Sequence, residues 1–243
     1  MAKKFGENRM KSTKAKRFWR IQGECWRRMV TPYMMYLFMS MILLATQAIS
    51  IVWLRIMLGT LCILIGAAFN AHLAYNTGVL HYDAYLTGNI HRRNLEMGIE
   101  SGGDHRPERE YAVWKGFYIG FLVGIPVILF AGLACIPGVL GEGFGRFFLI
   151  MFAGFAIVPV SWIYGGFEHA PSGVFAYSML MVILPIVVTG LFYMLGAYVE
   201  KRKKKVIEER KEALENAKNA PKEYREQTEE QKRKTMLSKK KKK

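Results

Sequence analysis

The chain has 243 residues, 51% of them hydrophobic, and its 35 Lys/Arg against 19 Asp/Glu give a net charge of +16. The charge is concentrated at the ends: residues 1–29 carry ten basic and two acidic side chains (net +8), residues 30–199 seven and eight (net −1), and residues 200–243 eighteen and nine (net +9). A near-neutral apolar middle between cationic ends argues against a water-soluble globular domain, and three scattered cysteines without a CxxC pair argue against a disulfide framework or a zinc site.

Residues 1–29 are expected to form a basic N-terminal arm that stays on the mature chain, because its charged region is too long for a secretory signal. Trp19 and Trp26 stand among Lys16, Arg17, Arg20, Arg27 and Arg28, a mixture suited to the lipid headgroup layer, and an interfacial helix is expected there despite Gly23. Residues 30–75 supply two transmembrane helices, Val30–Ser50 and Ile51–Tyr75, separated by a tight turn near Gln47–Ser50. Residues 76–114 form a polar, cytoplasmic loop. Val79, Tyr82, Leu86, Ile90 and Met97 recur at helical spacing, so the second span is expected to continue as an amphipathic helix to Gly98. Ser101–Asp104 then breaks it, and Pro107 is placed to open the next helix.

Residues 115–199 hold three apolar segments: Gly116–Ile136, Phe147–Tyr164 with Pro159 inside it, and Val174–Val199 with Pro185 at its centre. Residues 200–243 are a Lys/Glu-rich tail, expected to be helical to about residue 220 and disordered beyond it. Lys201, Arg202, Lys203, Lys204 and Lys205 open this tail and, with the N-terminal cations, are expected to rest on the membrane surface.

Basic segments near span ends favour the cytoplasmic side. Two crossings before the middle loop satisfy that preference, whereas three crossings after it put the tail outside. One of the last two apolar segments is therefore expected to be broken or re-entrant; an external middle loop and an external tail are the alternatives.

Four features carry candidate chemistry. Gly116, Gly120 and Gly124 lie four residues apart, which bares one helix face for close packing against another helix. Glu168 and His169, between Gly165-Gly166 and Pro171, form an acid–imidazole pair that at membrane depth would bind a cation or relay a proton, and at the surface is an ordinary polar turn. Asn70 and His72 cluster with Tyr75, Asn76 and His81 where the second span leaves the bilayer, as interfacial residues or as a polar site. Methionines 29, 34, 35, 39 and 41 read as core filler rather than a copper site. No HExxH spacing, Walker loop, GxSxG or dinucleotide fingerprint occurs, so neither a metal site nor a cofactor site is expected, and the chain carries no ATP-driven engine.

The expectation is an all-α, polytopic integral membrane bundle of four to five transmembrane helices in the cytoplasmic membrane, both termini facing the cytoplasm. It is expected to be non-enzymatic, a scaffold or accessory subunit whose partners are anionic phospholipid headgroups and other membrane subunits or copies of itself, with no specific nucleic acid. The alternative is a small transporter or channel subunit with Glu168 and His169 near its path.

Overall fold

Cys25, Met29, Pro32, Tyr36, Met39 and Leu43 recur every three or four residues, and in the computed structural model they form the buried stripe of the first helix, α1 (Ala2–Thr46). The structure describes residues 2–96, 111–140 and 143–219. These form helices joined by turns, without strands, and include five helices long and apolar enough to cross a membrane. They belong to two units, residues 1–198 and residues 199–243.

The boundary expected between an arm and a first span at residue 29/30 is absent from the backbone: α1 runs unbroken through Gly23 and Pro32. Cys25 and Met29 already pack into the bundle, so residues past Phe18 belong to it rather than to a separate surface helix. The turn at residues 47–50 is present, and Ile51 is extended before α2 (Val52–Thr87) begins.

Gly59, Cys62, Gly66, Asn70, Ala74, Gly78 and His81 make up the buried seam of α2, while Trp53, Met57, Leu61, Leu64, Ile65 and Phe69 face outward. The helix stops at Gly88, whose φ of 62° is the left-handed conformation that closes a helix at low cost only for glycine. A separate helix, α3 (Asn89–Glu96), follows. The single amphipathic helix expected to reach Gly98 is thus cut in two at Gly88. Ser101–Asp104, Pro107 and everything from residue 220 lie outside the described residues.

Helix α4 (Val113–Ala134) turns Gly116, Gly120 and Gly124 toward the last apolar segment. That segment starts as a 3-10 helix (Ser172–Val182) and becomes α-helical in α6 (Ile183–Asn219). Pro185, which the sequence placed at the centre of a span, therefore sits in the first turn of α6, directly after the 3-10 stretch. The break expected at Pro185 is instead the 3-10 to α change just before it.

Contacts fix the direction of each helix. At one end, Tyr118 of α4 donates to Gln22 of α1, Glu24 of α1 meets His81 of α2, and Tyr193 of α6 meets His81. At the other end, Leu43 of α1, Gly59 of α2 and Trp162 of α5 (Phe144–Ile163) come together. Helices α1, α2, α4 and α6 therefore alternate in direction.

Helix α5 behaves differently. Near its start, Phe148 and Phe152 lie against Phe130 of α4. At its middle, Ala153 leaves helical geometry (φ −135°, ψ 20°), and the freed Phe155 N–H donates to Ser40 Oγ at 3.1 Å. Tyr36 stacks on Phe155 here, about ten residues inside the end of α1. Trp162, at the far end, is back beside Leu43 and Gly59. Past that end, Gly165 and Gly166 (φ 76° and 150°) reverse the chain, and Glu168 reaches Arg146 near the start of the same helix, Nη1 to Oε1 4.0 Å. Helix α5 is thus bent at Ala153, and the bend brings the residues after its end back toward Arg146 near its start.

Residues 199–219, in the second unit, are helical and exposed on nearly all sides, with Lys203–Glu200 and Lys205–Glu209 pairs at 4.0 and 3.9 Å. Such exposed pairs on one helix contribute a few tenths of a kcal/mol each, on the order of 0.2–0.5.

Candidate functional site

Positions 20, 24, 27, 28 and 31 of α1 fall on one helical face, and that face borders the larger cavity, about 1020 Å³. Four arginines (Arg20, Arg27, Arg28 and Arg93 of α3) and one carboxylate, Glu24, line it, so its wall is strongly cationic. Trp19 stands at the rim, 71% exposed. Leu73 and Ala74 of α2 and Ile119 of α4 give it apolar wall.

The floor of the cavity is polar. Asn70 is fully buried; its Nδ2 donates to Tyr36 Oη at 3.2 Å and to Thr189 Oγ1 at 3.1 Å, binding α2 to α1 and α6. Its Oδ1 has no hydrogen-bond partner. A buried amide oxygen left open costs about 1–3 kcal/mol. Arg20 likewise keeps a buried Nη1 without a partner.

Beside the cavity lies a second buried polar group. His81 is 3% exposed, with Nδ1 2.8 Å from Tyr193 Oη and Nε2 2.9 Å from Glu24 Oε1. The latter contact is close, but Nε2 has no well-aligned hydrogen-bond partner. Lys115 is 2% exposed, and it and Arg28 both act electrostatically on the Glu24 carboxylate. Tyr111 stacks on Tyr193 with 5.5 Å between centroids, and Tyr82 packs edge-on to Tyr111. The arrangement holds the ends of α1, α2 and α4 together around α6.

The glycine ladder of α4 runs along α6 from the same Tyr193. A Cβ on Gly116 would sit 2.7 Å from Tyr193 Cβ, and one on Gly120 would sit 2.6 Å from the Pro185 carbonyl oxygen; Gly124 abuts Val182. All three face the 3-10/α6 segment of the same chain. On the other side, Gly78 of α2 abuts the Tyr193 carbonyl and Gly196 of α6 abuts the Tyr75 carbonyl. These last contacts bring backbone against backbone, which side chains would forbid.

The structure does not bring the sequence-predicted polar residues together. Glu168 and His169 are exposed in the connector after α5, and Glu168 borders a smaller cavity of about 410 Å³ with Arg146. Arg146 Nε also donates to the Leu140 carbonyl, and its guanidinium lies 5.6 Å from the centre of the Phe167 ring. Asn70 is on the larger cavity, whereas His72 is exposed and paired with Asn76 at 3.0 Å. Among the surface cations, Arg20, Arg27 and Arg28 line the larger cavity. Trp26, Lys201, Arg202, Lys203 and Lys205 are exposed, Lys204 is half-buried, and the side chains of Lys16 and Arg17 lie outside the described residues. Among the described residues no cluster of His, Cys, Asp and Glu has the geometry to hold a metal ion.

Sequence reasoning missed the Glu24–His81–Tyr193 contact, whose members lie 57 and 112 positions apart, and the cavity itself. The signal available was the helical spacing of Arg20, Glu24, Arg27 and Thr31. The chain matches no protein-family model, and neither a curated protein nor a solved structure matches it.

Proposed function

We propose that this chain is a non-enzymatic integral protein of a cell membrane, a scaffold or accessory subunit of a larger membrane complex, attached to anionic lipid by its basic segments. The observation that carries this reading is the inverted face of α2. Its small residues, Gly59, Gly66, Ala74 and Gly78, are buried, and its large ones, Trp53, Leu61, Leu64 and Phe69, face outward. Water favours the opposite pattern; lipid favours this one, because helices there associate through close backbone packing. The outward face remains for acyl chains and for a neighbouring subunit.

In this reading α1, α2, α4 and the 3-10/α6 segment cross the bilayer, and α5 enters and leaves from the same side. Four crossings keep residues 1–29, the middle loop and the tail on the cytoplasmic face, as their lysines and arginines favour. The return of α5 to Leu43 and Gly59, and the Arg146–Glu168 contact, support a re-entrant arm. Its irregular backbone at Ala153 is shielded by α1, the condition under which such backbone survives at membrane depth.

Photo-crosslinking in native membranes tests the accessory role. Probes at Leu61, Leu64 and Phe69 are expected to give one discrete protein adduct, and a probe at buried Val123 none. Lipid adducts alone at all three outward positions would remove the accessory role. A second reading, a small transporter or channel subunit, is favoured by the cavity that reaches Asn70 rather than by Glu168 and His169. Solute uptake by the purified chain in liposomes, abolished by Asn70→Leu, would replace the first reading with this one.

A further inference from the structure

We infer that the cavity between α1, α2 and α3 is a binding site for one phosphate-bearing amphiphile, an anionic phospholipid held by its headgroup. The inference rests on the membrane reading above and adds a defined, saturable site to the loose attraction of the basic ends.

Three features point to this ligand class. The first is charge. The one carboxylate on the lining, Glu24, already faces His81 and the fields of Lys115 and Arg28. Arg20, Arg27 and Arg93 then remain as cations converging from two helices, and guanidinium forks match phosphate oxygens with paired N–H donors. Arg20 keeps a buried Nη1 without a partner, a donor already withdrawn from water and lacking an acceptor. The second is the floor. Asn70 is fully buried and lines the cavity with Oδ1 unpartnered, an acceptor suited to a headgroup hydroxyl such as glycerol supplies. Phosphate oxygens accept and hydroxyls donate, so the two open protein atoms complement the two halves of a glycerol phosphate. The third is the wall. Trp19 at the rim and Leu73 and Ile119 within give apolar surface beside the guanidiniums, where a fully water-soluble anion gains nothing. A volume of about 1020 Å³ exceeds what a bare phosphate requires and admits a headgroup with the first part of its acyl chains.

The full chain, purified in detergent, is titrated with phosphatidylglycerol, phosphatidylcholine, or glycerol phosphate, and binding is read by native mass spectrometry and by the shift in thermal unfolding. Phosphatidylglycerol is expected to bind with one saturable equivalent and to raise the unfolding temperature. Phosphatidylcholine and glycerol phosphate are each expected to bind at least tenfold more weakly. The Arg20→Gln/Arg27→Gln double variant should lose about tenfold in affinity, Arg20→Lys/Arg27→Lys should lose less because it keeps the charge without the paired donors, and Arg202→Gln binds as wild type. The lysine pair shows that the glutamine pair acts through charge rather than misfolding. Equal binding of the two lipids, or unchanged binding by the glutamine pair, overturns the site. Glycerol phosphate binding as tightly as the lipid overturns the amphiphile and assigns the cavity to a soluble anion. Recovery of the chain from the aqueous fraction after lysis defeats the membrane reading itself, whereas a membrane-bound chain without lipid preference defeats only this site.

Discussion

Glycine at position 120 illustrates how little room the bundle leaves. Leucine there would drive a side chain into the Pro185 carbonyl and the Ile186 backbone, neither of which has a flexible end to move aside. Gly120→Leu is expected to cost at least about 1–3 kcal/mol, the usual range for overpacking, seen as a lower midpoint of thermal unfolding in detergent. Gly132→Ala is the matched control, since its Cβ meets only the Met179 methyl at 3.6 Å and should leave the midpoint nearly unchanged. Tyr193→Phe should cost about 1–3 kcal/mol, because it strands a buried imidazole nitrogen of His81; the same unfolding measurement checks it. The ladder at 116, 120 and 124 was legible because it repeats one residue type at one interval. The α2 seam was not, although it is longer: it mixes Gly, Cys, Asn, Ala and His along its face, so no single residue type repeats to mark it and only the packed structure reveals it as one face.

Helix α5 depends on a bond from outside itself. The Phe155 N–H has left the helical ladder at the Ala153 bend, and Ser40 supplies its acceptor. Ser40→Ala leaves that N–H buried and unpaired, at a cost of about 1–3 kcal/mol. Amide exchange is expected to quicken across residues 150–157 while α4 stays protected; equal protection in the variant would show that the bend needs no such bond. Pro159 drew attention to this apolar run in the sequence, yet the departure from helical dihedrals lies six residues earlier, at an alanine with no propensity to bend. Tertiary contact with α1 sets the position, and a single sequence carries no record of that contact. The start of α1 was misread for a related reason. Charge dominates residues 1–29, and the Cys25–Met29 continuation of the buried stripe is visible only when the stripe is followed backward from Tyr36.

For the whole molecule, the apolar runs, the turn at 47–50 and the imbalance of basic segments were all legible, because length and charge are local quantities. The helix pairings were not, and they bear on the side of the tail. With Cys25, Cys62 and Cys135 replaced by alanine, single cysteines at the exposed positions Pro137, His169 and Lys205 report sidedness. Reagent confined to the outside is expected to label positions 137 and 169, and Lys205→Cys is expected to react only after the cytoplasmic face is opened. Cytoplasmic labelling at 169 with external labelling at 137 would make α5 a full crossing. The bent arm would then need another account.

The 3-10 stretch ahead of α6 also stores length. Its eleven residues rise about 2.0 Å each instead of about 1.5 Å. Rewinding them into α-helical form would shorten the segment by about 5 Å, drawing the Ser172 end toward Ile183. A change of that size would be taken up between the connector bearing Glu168 and the Pro185 carbonyl that abuts Gly120.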